Sequence, residues 1–427
     1  MIAGTNSGCG KTTITCAILK HLIKKKLKVM SYKCGPDYID PMFHKKVIGT
    51  DSGNLDLFMT SENTVKHLLK TNTQNYDIGV IEGVMGFYDG RGGDTEEASS
   101  NHLANVTNTP VILVVNAKGM SLSVIAMIKG YLKFAPNNIK GVILNRISGK
   151  MYIKLKDTIE QILLIKVVGY FPEQTQTIPS RHLGLLTADE IENINEMLNI
   201  LQEQAEKYID FEALMEIANC AGEISCQNII VPKIANELKI AIAYDKAFCF
   251  YYKENIDLLE KMGAKIEYFS PLYDENLPKD ISGLILGGGY PELYLNALHE
   301  NVSMRRAIKS AVEKSMPCIA ECGGFLYLLA KVEGIELVGA IQGEAYMTKK
   351  LVNFGYKTIV ADSDNLLCKA SEIIKAHEFH YSDCDKTAKA FKHTENLYAG
   401  YPHINFWTNI IFAERFIKKC MAQSLSN

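Results

Sequence analysis

The chain has 427 residues, 47% of them apolar and 22% charged, and its formal net charge is −2. That length exceeds one ordinary hydrophobic core and predicts roughly two to four domains of a soluble globular protein. The near-neutral balance excludes a global field that would gather nucleic acid or an anionic membrane. The eleven cysteines are scattered, with no Cys-x-x-Cys pair and no Cys/His cluster at zinc spacing. Cys9, Cys16 and Cys34 read as small core residues in a reducing compartment. Apolar runs such as Val111-Ile112-Leu113-Val114-Val115 are strand-sized, far below a membrane span. No signal peptide is expected ahead of the first motif, so the predicted location is cytoplasmic.

The chain opens on Gly4-Thr5-Asn6-Ser7-Gly8-Cys9-Gly10-Lys11-Thr12-Thr13. Backbone N–H groups of such a loop wrap phosphate oxygens, and the helix that follows adds its positive end. Gly8, Gly10, Lys11, Thr12 and Thr13 are therefore candidate nucleotide-binding residues, with Lys11 on the outer phosphates and Thr12 on Mg²⁺. The usual motif has glycine six positions before the lysine, where this chain has Thr5 and places Gly4 one residue early. The form Gly-Thr-x-Ser-Gly-x-Gly-Lys-Thr resembles the loop of dethiobiotin synthetase and its relatives. Only Met1, Ile2 and Ala3 precede it, a stub for a central strand, which raises the expectation of a native start upstream of Met1.

A helix is predicted over 12–25, then strands over 29–32, 78–82, 111–116, 141–145 and 167–170, with helices over 64–70 and 121–134 between them. This alternation reads as βαβ units around a mostly parallel sheet. Ile81-Glu82-Gly83 ends a strand where a second Mg²⁺-directed carboxylate is expected, so Glu82 joins Thr12 as a candidate metal ligand. Gly83, Gly86 and Gly90 around Tyr88-Asp89 form a loop able to close over substrate. One long polar helix is predicted over 188–217. Residues 220–237 lose periodicity and hold Gly222 and Pro232. The expected organisation is a synthetase domain over 1–218, a linker over 219–237 and a second α/β domain over 238–427. In the latter, strands are predicted over 238–244, 266–269, 284–286 and 318–320, with a helix over 252–262.

The last of these strands runs through Pro317-Cys318-Ile319-Ala320-Glu321 into Cys322-Gly323-Gly324. An apolar strand entering a Cys-Gly-Gly turn holds a nucleophile at its tip. Glutaminase chemistry needs a thiolate, a base to make it, and N–H donors for the tetrahedral oxyanion. Cys322 supplies the first. Gly323 and the run Gly287-Gly288-Gly289 supply candidate donors, with Gly288 and Gly323 the preferred pair. The base must come from far along the chain. His403, in Tyr401-Pro402-His403-Ile404-Asn405, is the first choice, and His377 and His380 are its rivals.

Further segments carry a resemblance over nearly the whole chain. They include Lys33-Cys34-Gly35-Pro36-Asp37-Tyr38-Ile39-Asp40-Pro41, Glu82-Gly83-Val84-Met85-Gly86-Phe87-Tyr88-Asp89-Gly90, Ala117-Lys118-Gly119-Met120-Ser121, Arg181-His182-Leu183-Gly184-Leu185 and His377-Glu378-Phe379-His380-Tyr381-Ser382. With the two catalytic motifs, they make the chain similar to the cobyrinic acid a,c-diamide synthase family of cobalamin biosynthesis. The resemblance implies an α/β architecture: a P-loop NTPase parallel-sheet domain, dethiobiotin-synthetase-like, followed by a class I glutaminase α/β domain. It implies ATP and Mg²⁺ as cofactors, glutamine and a tetrapyrrole polycarboxylate as small-molecule substrates, and no nucleic-acid or membrane partner, with a homodimer left open.

The resemblance also implies a mechanism. Cys322, activated by His403, releases ammonia from glutamine through a thioester. ATP phosphorylates a carboxylate of the macrocycle, and ammonia displaces the phosphate, at c before a. Lys11, Thr12 and Glu82 serve ATP·Mg²⁺, while Asp37, Asp40 and Asp89 match positions near the transfer site. Class I glutaminases commonly carry a glutamate two residues after the histidine. This chain has Asn405 there, so another group must orient the imidazole. Lys33, Arg146, Arg181, Lys349 and Lys350 are candidate partners of the polyanionic substrate. The alternatives are a,c-diamidation of hydrogenobyrinate or nickel sirohydrochlorin and, more remotely, a partitioning-type switch ATPase with a basic amphipathic tail over 412–419.

Overall fold

Uninterrupted runs of β-branched residues and leucine are stable as strands when both sheet faces are covered. In this computed structural model, β1 (Ile2–Gly4), β2 (Val29–Cys34), β3 (Asp51–Leu55), β4 (Ile78–Glu82), β5 (Val111–Asn116), β6 (Ile139–Asn145) and β7 (Lys166–Phe171) form one seven-stranded sheet. Its order is β3-β2-β4-β1-β5-β6-β7, and every pairing is parallel. The structure describes residues 1–173, 180–181, 184–185, 194–391 and 393–426. Two compact units emerge, Met1–Ile229 and Ile230–Asn427.

In the first unit β1 is three residues long yet lies between β4 and β5. It delivers the glycine-rich loop to the middle of the sheet, and α1 (Lys11–Lys24) follows directly. β3 has no apolar run and escaped the sequence reading. Its polar side chains are satisfied locally: the Asn54 amide donates to the carbonyls of Gly35 and Asp37, both at 2.8 Å. The single helix expected over 188–217 is instead two, Ile194–Tyr208 and Phe211–Asn219. The interruption has a local cause. Asp210 Oδ1 accepts the N–H of Ala213 at 3.0 Å, while the Asp210 N–H donates to the Val168 carbonyl at 2.8 Å, so this residue caps a new helix and ties it to β7. Residues 188–193 of the expected helix lie outside the described residues.

No helix or strand occupies 220–237, and the division between the units falls inside that stretch. The second unit is built on a five-stranded parallel sheet of β8 (Leu238–Ala243), β9 (Ala264–Phe269), β10 (Gly283–Leu286), β11 (Cys318–Glu321) and β12 (Leu397–Gly400), in the order β9-β8-β10-β11-β12. Leu284, Leu286, Ile308, Ala320, Phe325 and Leu328 pack at its core. Between β11 and β12 the chain makes further strands that apolar runs did not reveal, among them Asn353–Val360 and Ile373–His380. The latter alternates buried and half-buried residues, the period-two signature of a one-sided strand. The final helix, Ile411–Ser426, buries Phe412, Phe416, Ile417 and Cys420, so its apolar face is committed to this unit. Among the described residues no helix is long and apolar enough to cross a membrane.

Asp210→Ala removes the cap that starts the second of the two helices and should cost about 1 kcal/mol. The expected outcome is a lower denaturant midpoint for unfolding of the first unit, with Asp210→Asn close to wild type.

Candidate active site

Each unit gathers its reactive side chains where parallel strands end. In the first, the chain leaves β1 at Gly4 and turns through positive φ at Gly8 (75°) and Gly10 (100°) before α1 begins. A Cβ on Gly10 would lie 2.1 Å from Nδ2 of Asn145, the amide that donates to the Cys9 carbonyl at 2.7 Å. Only glycine fits there. Lys11 is buried, its Nζ donating to the carbonyls of Asn6 (3.2 Å) and Met85 (2.5 Å), and burial lowers its pKa. The Thr12 hydroxyl donates to Glu82 Oε1 at 2.6 Å.

Glu82 is wholly buried and faces Lys33 Nζ at 2.9 Å and His44 Nε2 at 3.4 Å. Burial opposes its ionisation, but Lys33, His44 and Thr12 outweigh that and hold the carboxyl well below the usual carboxylate range. Lys33 also pairs with Asp40, whose own pKa is raised by burial and by the Glu82 charge. Asp37 is raised too, by burial and then by Asp40; its Oδ1 accepts the Ile39 N–H at 2.8 Å. Asp37, Asp40 and Glu82 thus form one electrostatic group around Lys33. Asp89 is exposed on the 83–90 loop, and its Oδ2 accepts the Gly86 N–H at 2.9 Å, closing that turn.

Sequence reasoning missed His44 and a cavity of about 310 Å³ lined by Gly10, Thr13, Lys118, Asn145, Arg146 and Phe171. Asn145 and Phe171 are the last residues of β6 and β7. Strand-end position was the available signal for both. Of the basic candidates, Lys33 is engaged in internal ion pairs and Arg146 lines this cavity. Lys349 and Lys350 are exposed residues of the second unit, and the side chain of Arg181 lies outside the described residues.

In the second unit β11 ends at Glu321, and Cys322 follows in a left-handed conformation, φ 49° and ψ −101°. Such a non-glycine residue stores strain of order 1–3 kcal/mol, held by surrounding contacts. The contacts are specific. The Cys322 N–H donates to the Gly400 carbonyl at 2.7 Å, and the Gly324 N–H to the Gly287 carbonyl at 2.9 Å. A Cβ on Gly324 would meet the Leu286 carbonyl oxygen at 2.0 Å. The Gly287 N–H is itself bound to the Tyr251 hydroxyl at 2.9 Å. These bonds press the turn after β10 against the turn after β11, bringing Gly288 and Gly323 into one locality.

The structure brings His403 to Cys322. Its imidazole is buried, hydrogen-bonds with the Cys322 side chain, and has Nδ1 3.5 Å from Glu321 Oε2. A Cβ on Gly288 would lie 2.3 Å from its Cε1. Burial alone would lower the His403 pKa, but Cys322 and Glu321 push it up to about 10. His380 is occupied elsewhere, stacked on Tyr401 with Nδ1 2.7 Å from the Ser382 carbonyl. His377 lies opposite His403 across paired strands, between the rings of Phe354 and Tyr356. Burial, then the neighbouring His403, pushes it down to about 3, so it is neutral at working pH.

The raised pKa has a stability consequence. The folded state binds the His403 proton more tightly than the unfolded chain, so this contribution is full below about pH 6.5 and is lost as pH rises towards about 10. His403→Asn is expected to flatten the alkaline fall in stability of the second unit, measured by denaturant titrations between pH 6 and 10.

Each unit contains the match to one family model. A CobQ/CobB/MinD/ParA nucleotide binding domain matches residues 1–185, and a CobB/CobQ-like glutamine amidotransferase domain matches residues 239–409. The cobyrinate a,c-diamide synthase of Caldanaerobacter subterraneus subsp. tengcongensis is 43% identical over 98% of this chain and 98% of its own. That of Clostridium tetani is 41% identical over 98% and 99%, and that of Thermoplasma volcanium 39% over 99% and 97%. With such identity running through both units, the chain belongs to the cobyrinate a,c-diamide synthase family.

Proposed function

We propose that this glutamine-hydrolysing carbon–nitrogen ligase uses ATP to amidate the a and c carboxylates of cobyrinate. The observation that carries the reading is the near full-length identity with cobyrinate a,c-diamide synthases, in a chain that also joins a phosphate loop to a strained cysteine facing a histidine.

In the second unit, Cys322 Sγ attacks the side-chain carboxamide carbon of glutamine. His403, which holds the proton given up by the thiol, donates it to the departing ammonia, leaving a thioester. The N–H groups of Gly288 and Gly323 receive the oxyanion. Water then hydrolyses the thioester, giving glutamate and free thiol. In the first unit, a substrate carboxylate oxygen attacks the γ-phosphorus of ATP and ADP leaves. Ammonia attacks the resulting acyl phosphate, phosphate departs, and the surplus proton passes to a neighbouring base. Asp37 and Asp40, whose carboxyls are biased towards protonation, are suited to hold the ammonia or take that proton.

Thr12 and the ionised Glu82 offer hard oxygens side by side, 2.6 Å apart, so the pair fits Mg²⁺. When bound, the ion offsets phosphate charge. Lys11 and the loop amides bind the phosphates. The cavity flanked by Asn145 and Arg146 then suits the nucleoside. Asp89 orders the loop over this site through Gly86.

Purified protein given ATP, Mg²⁺ and glutamine, with cobyrinate, hydrogenobyrinate or nickel sirohydrochlorin offered separately, should doubly amidate cobyrinate by mass spectrometry. Amidation of another macrocycle alone would reassign the substrate, and none with any of the three would overturn the reading. Cys322→Ala should lose glutamine-dependent product and keep ammonia-dependent product. Gly10→Ala, which drives a Cβ into Asn145, should weaken ATP binding at least tenfold in a calorimetric titration.

A further inference from the structure

We propose that Glu321, the residue immediately before the nucleophile, is the carboxylate that orients His403, taking the part given in class I glutaminases to an acid two residues after the histidine. The proposal rests on the glutaminase reading of the second unit and deepens it.

The position two after His403 holds Asn405, whose side chain is already used. Its Oδ1 accepts the Trp407 N–H at 2.9 Å and starts the turn Phe406–Thr408. An amide so engaged supplies no charge to an imidazolium. Glu321 supplies one, and it grips the histidine segment at two points. Oε2 lies 3.5 Å from His403 Nδ1, while Oε1 accepts the N–H of Ile404 at 3.1 Å. Holding the backbone one residue beyond the ring, as well as facing the ring, restricts both position and rotation of the imidazole. With Nδ1 turned to Glu321, Nε2 is left for the thiol.

Adjacent residues of a regular strand point to opposite faces and would not share a partner. Here they do, because the left-handed backbone of Cys322 turns its side chain back while Glu321 keeps its place at the end of β11. The strained turn therefore has two effects: it exposes the thiol, and it lets one strand end address the imidazole from two sides. The nearby carboxylate Glu378, beside His377 in its strand, faces Lys357 and His380 instead. The other described ionisable groups around this pair are His377, opposite His403, Tyr251 and Tyr398, which feel the Glu321 charge, and Tyr401, which feels Cys322. Burial, the largest influence on each, keeps all four neutral at working pH. Among these neighbours Glu321 is the carboxylate placed to stabilise charge on His403.

A purely structural Glu321 would tie Ile404 to β11 and nothing more, and Glu321→Gln separates the cases because it keeps an acceptor for that N–H while removing the charge. In the full chain, Glu321→Gln should lower glutaminase kcat roughly a hundredfold or more with little change in KM, since an unoriented base is the costly loss in such triads. The alkaline limb of the pH profile should move down by at least about one unit as the imidazolium loses its partner. Glu321→Asp should recover much of the rate and the profile. The pH dependence of Cys322 alkylation by iodoacetamide reads the same pair without turnover, so it answers even if wild type hydrolyses no glutamine, a result that would sink the function and not this inference. An unshifted profile in both measurements, or a Gln variant as active as wild type, overturns the proposal. If Glu321→Gln does not fold, Glu321→Asp decides: a lost rate on an unshifted profile leaves Glu321 a structural tie only.

Discussion

A strand buried on both faces carries polar groups cheaply only at its ends, and both units are organised by that constraint. In the first, Gly4, Lys33, Glu82, Asn145 and Phe171 stand at or beside the carboxyl ends of β1, β2, β4, β6 and β7. In the second, Gly287, Cys322 and His403 follow β10, β11 and β12. Parallel pairing aligns all those ends on one edge of each sheet, so residues far apart in the chain are delivered to a common place without any long-range signal. The order of strands then decides which of them meet. β1 lies between β4 and β5, which sets the phosphate loop beside Glu82. β11 lies between β10 and β12, which sets Cys322 between the Gly-Gly-Gly turn and His403.

Carrying charge into such edges is expensive, and the two units manage it differently. Lys33, Asp40, His44 and Glu82 are almost wholly buried and answer one another, with Lys33 between two carboxylates. Removing one member of a buried pair typically costs about 3–5 kcal/mol, because its partner is left uncompensated. The arrangement is therefore a pre-set field at the foot of the phosphate loop, in which Lys33, His44 and Thr12 favour the ionised form of Glu82. In the second unit the compensation is smaller in scale. One imidazole is shared between a thiol and a carboxylate that are neighbours in sequence, and its raised pKa records both partners.

The phosphate loop and the Cys-Gly-Gly turn were legible because each is a continuous segment whose residue types have a direct mechanical reason: glycine where the backbone must turn through positive φ or approach a neighbouring chain segment, with the lysine and threonine at the helix start that follows. Most strands were legible because burial on two faces demands an unbroken apolar run. β3 was not, since an edge strand held through Asn54 and its neighbours needs no such run. The strands between β11 and β12 were obscured in the same way by alternation with half-buried polar residues. The helical period across 194–219 hid a break at Asp210, because a capping aspartate does not interrupt the apolar spacing around it.

What the chain determined by itself was the inventory: two α/β units, a phosphate loop, a cysteine at a strand tip, and the absence of an acid two residues beyond His403. Local sequence suffices for these because each depends on neighbours within a few residues. Which histidine meets Cys322, which carboxylate faces that histidine, and how Lys33, Asp40, His44 and Glu82 come to share one buried field were decided by the tertiary structure alone. Those contacts join residues through strand order and burial, and electrostatic partnership depends on distance in space, which spacing along the chain does not encode.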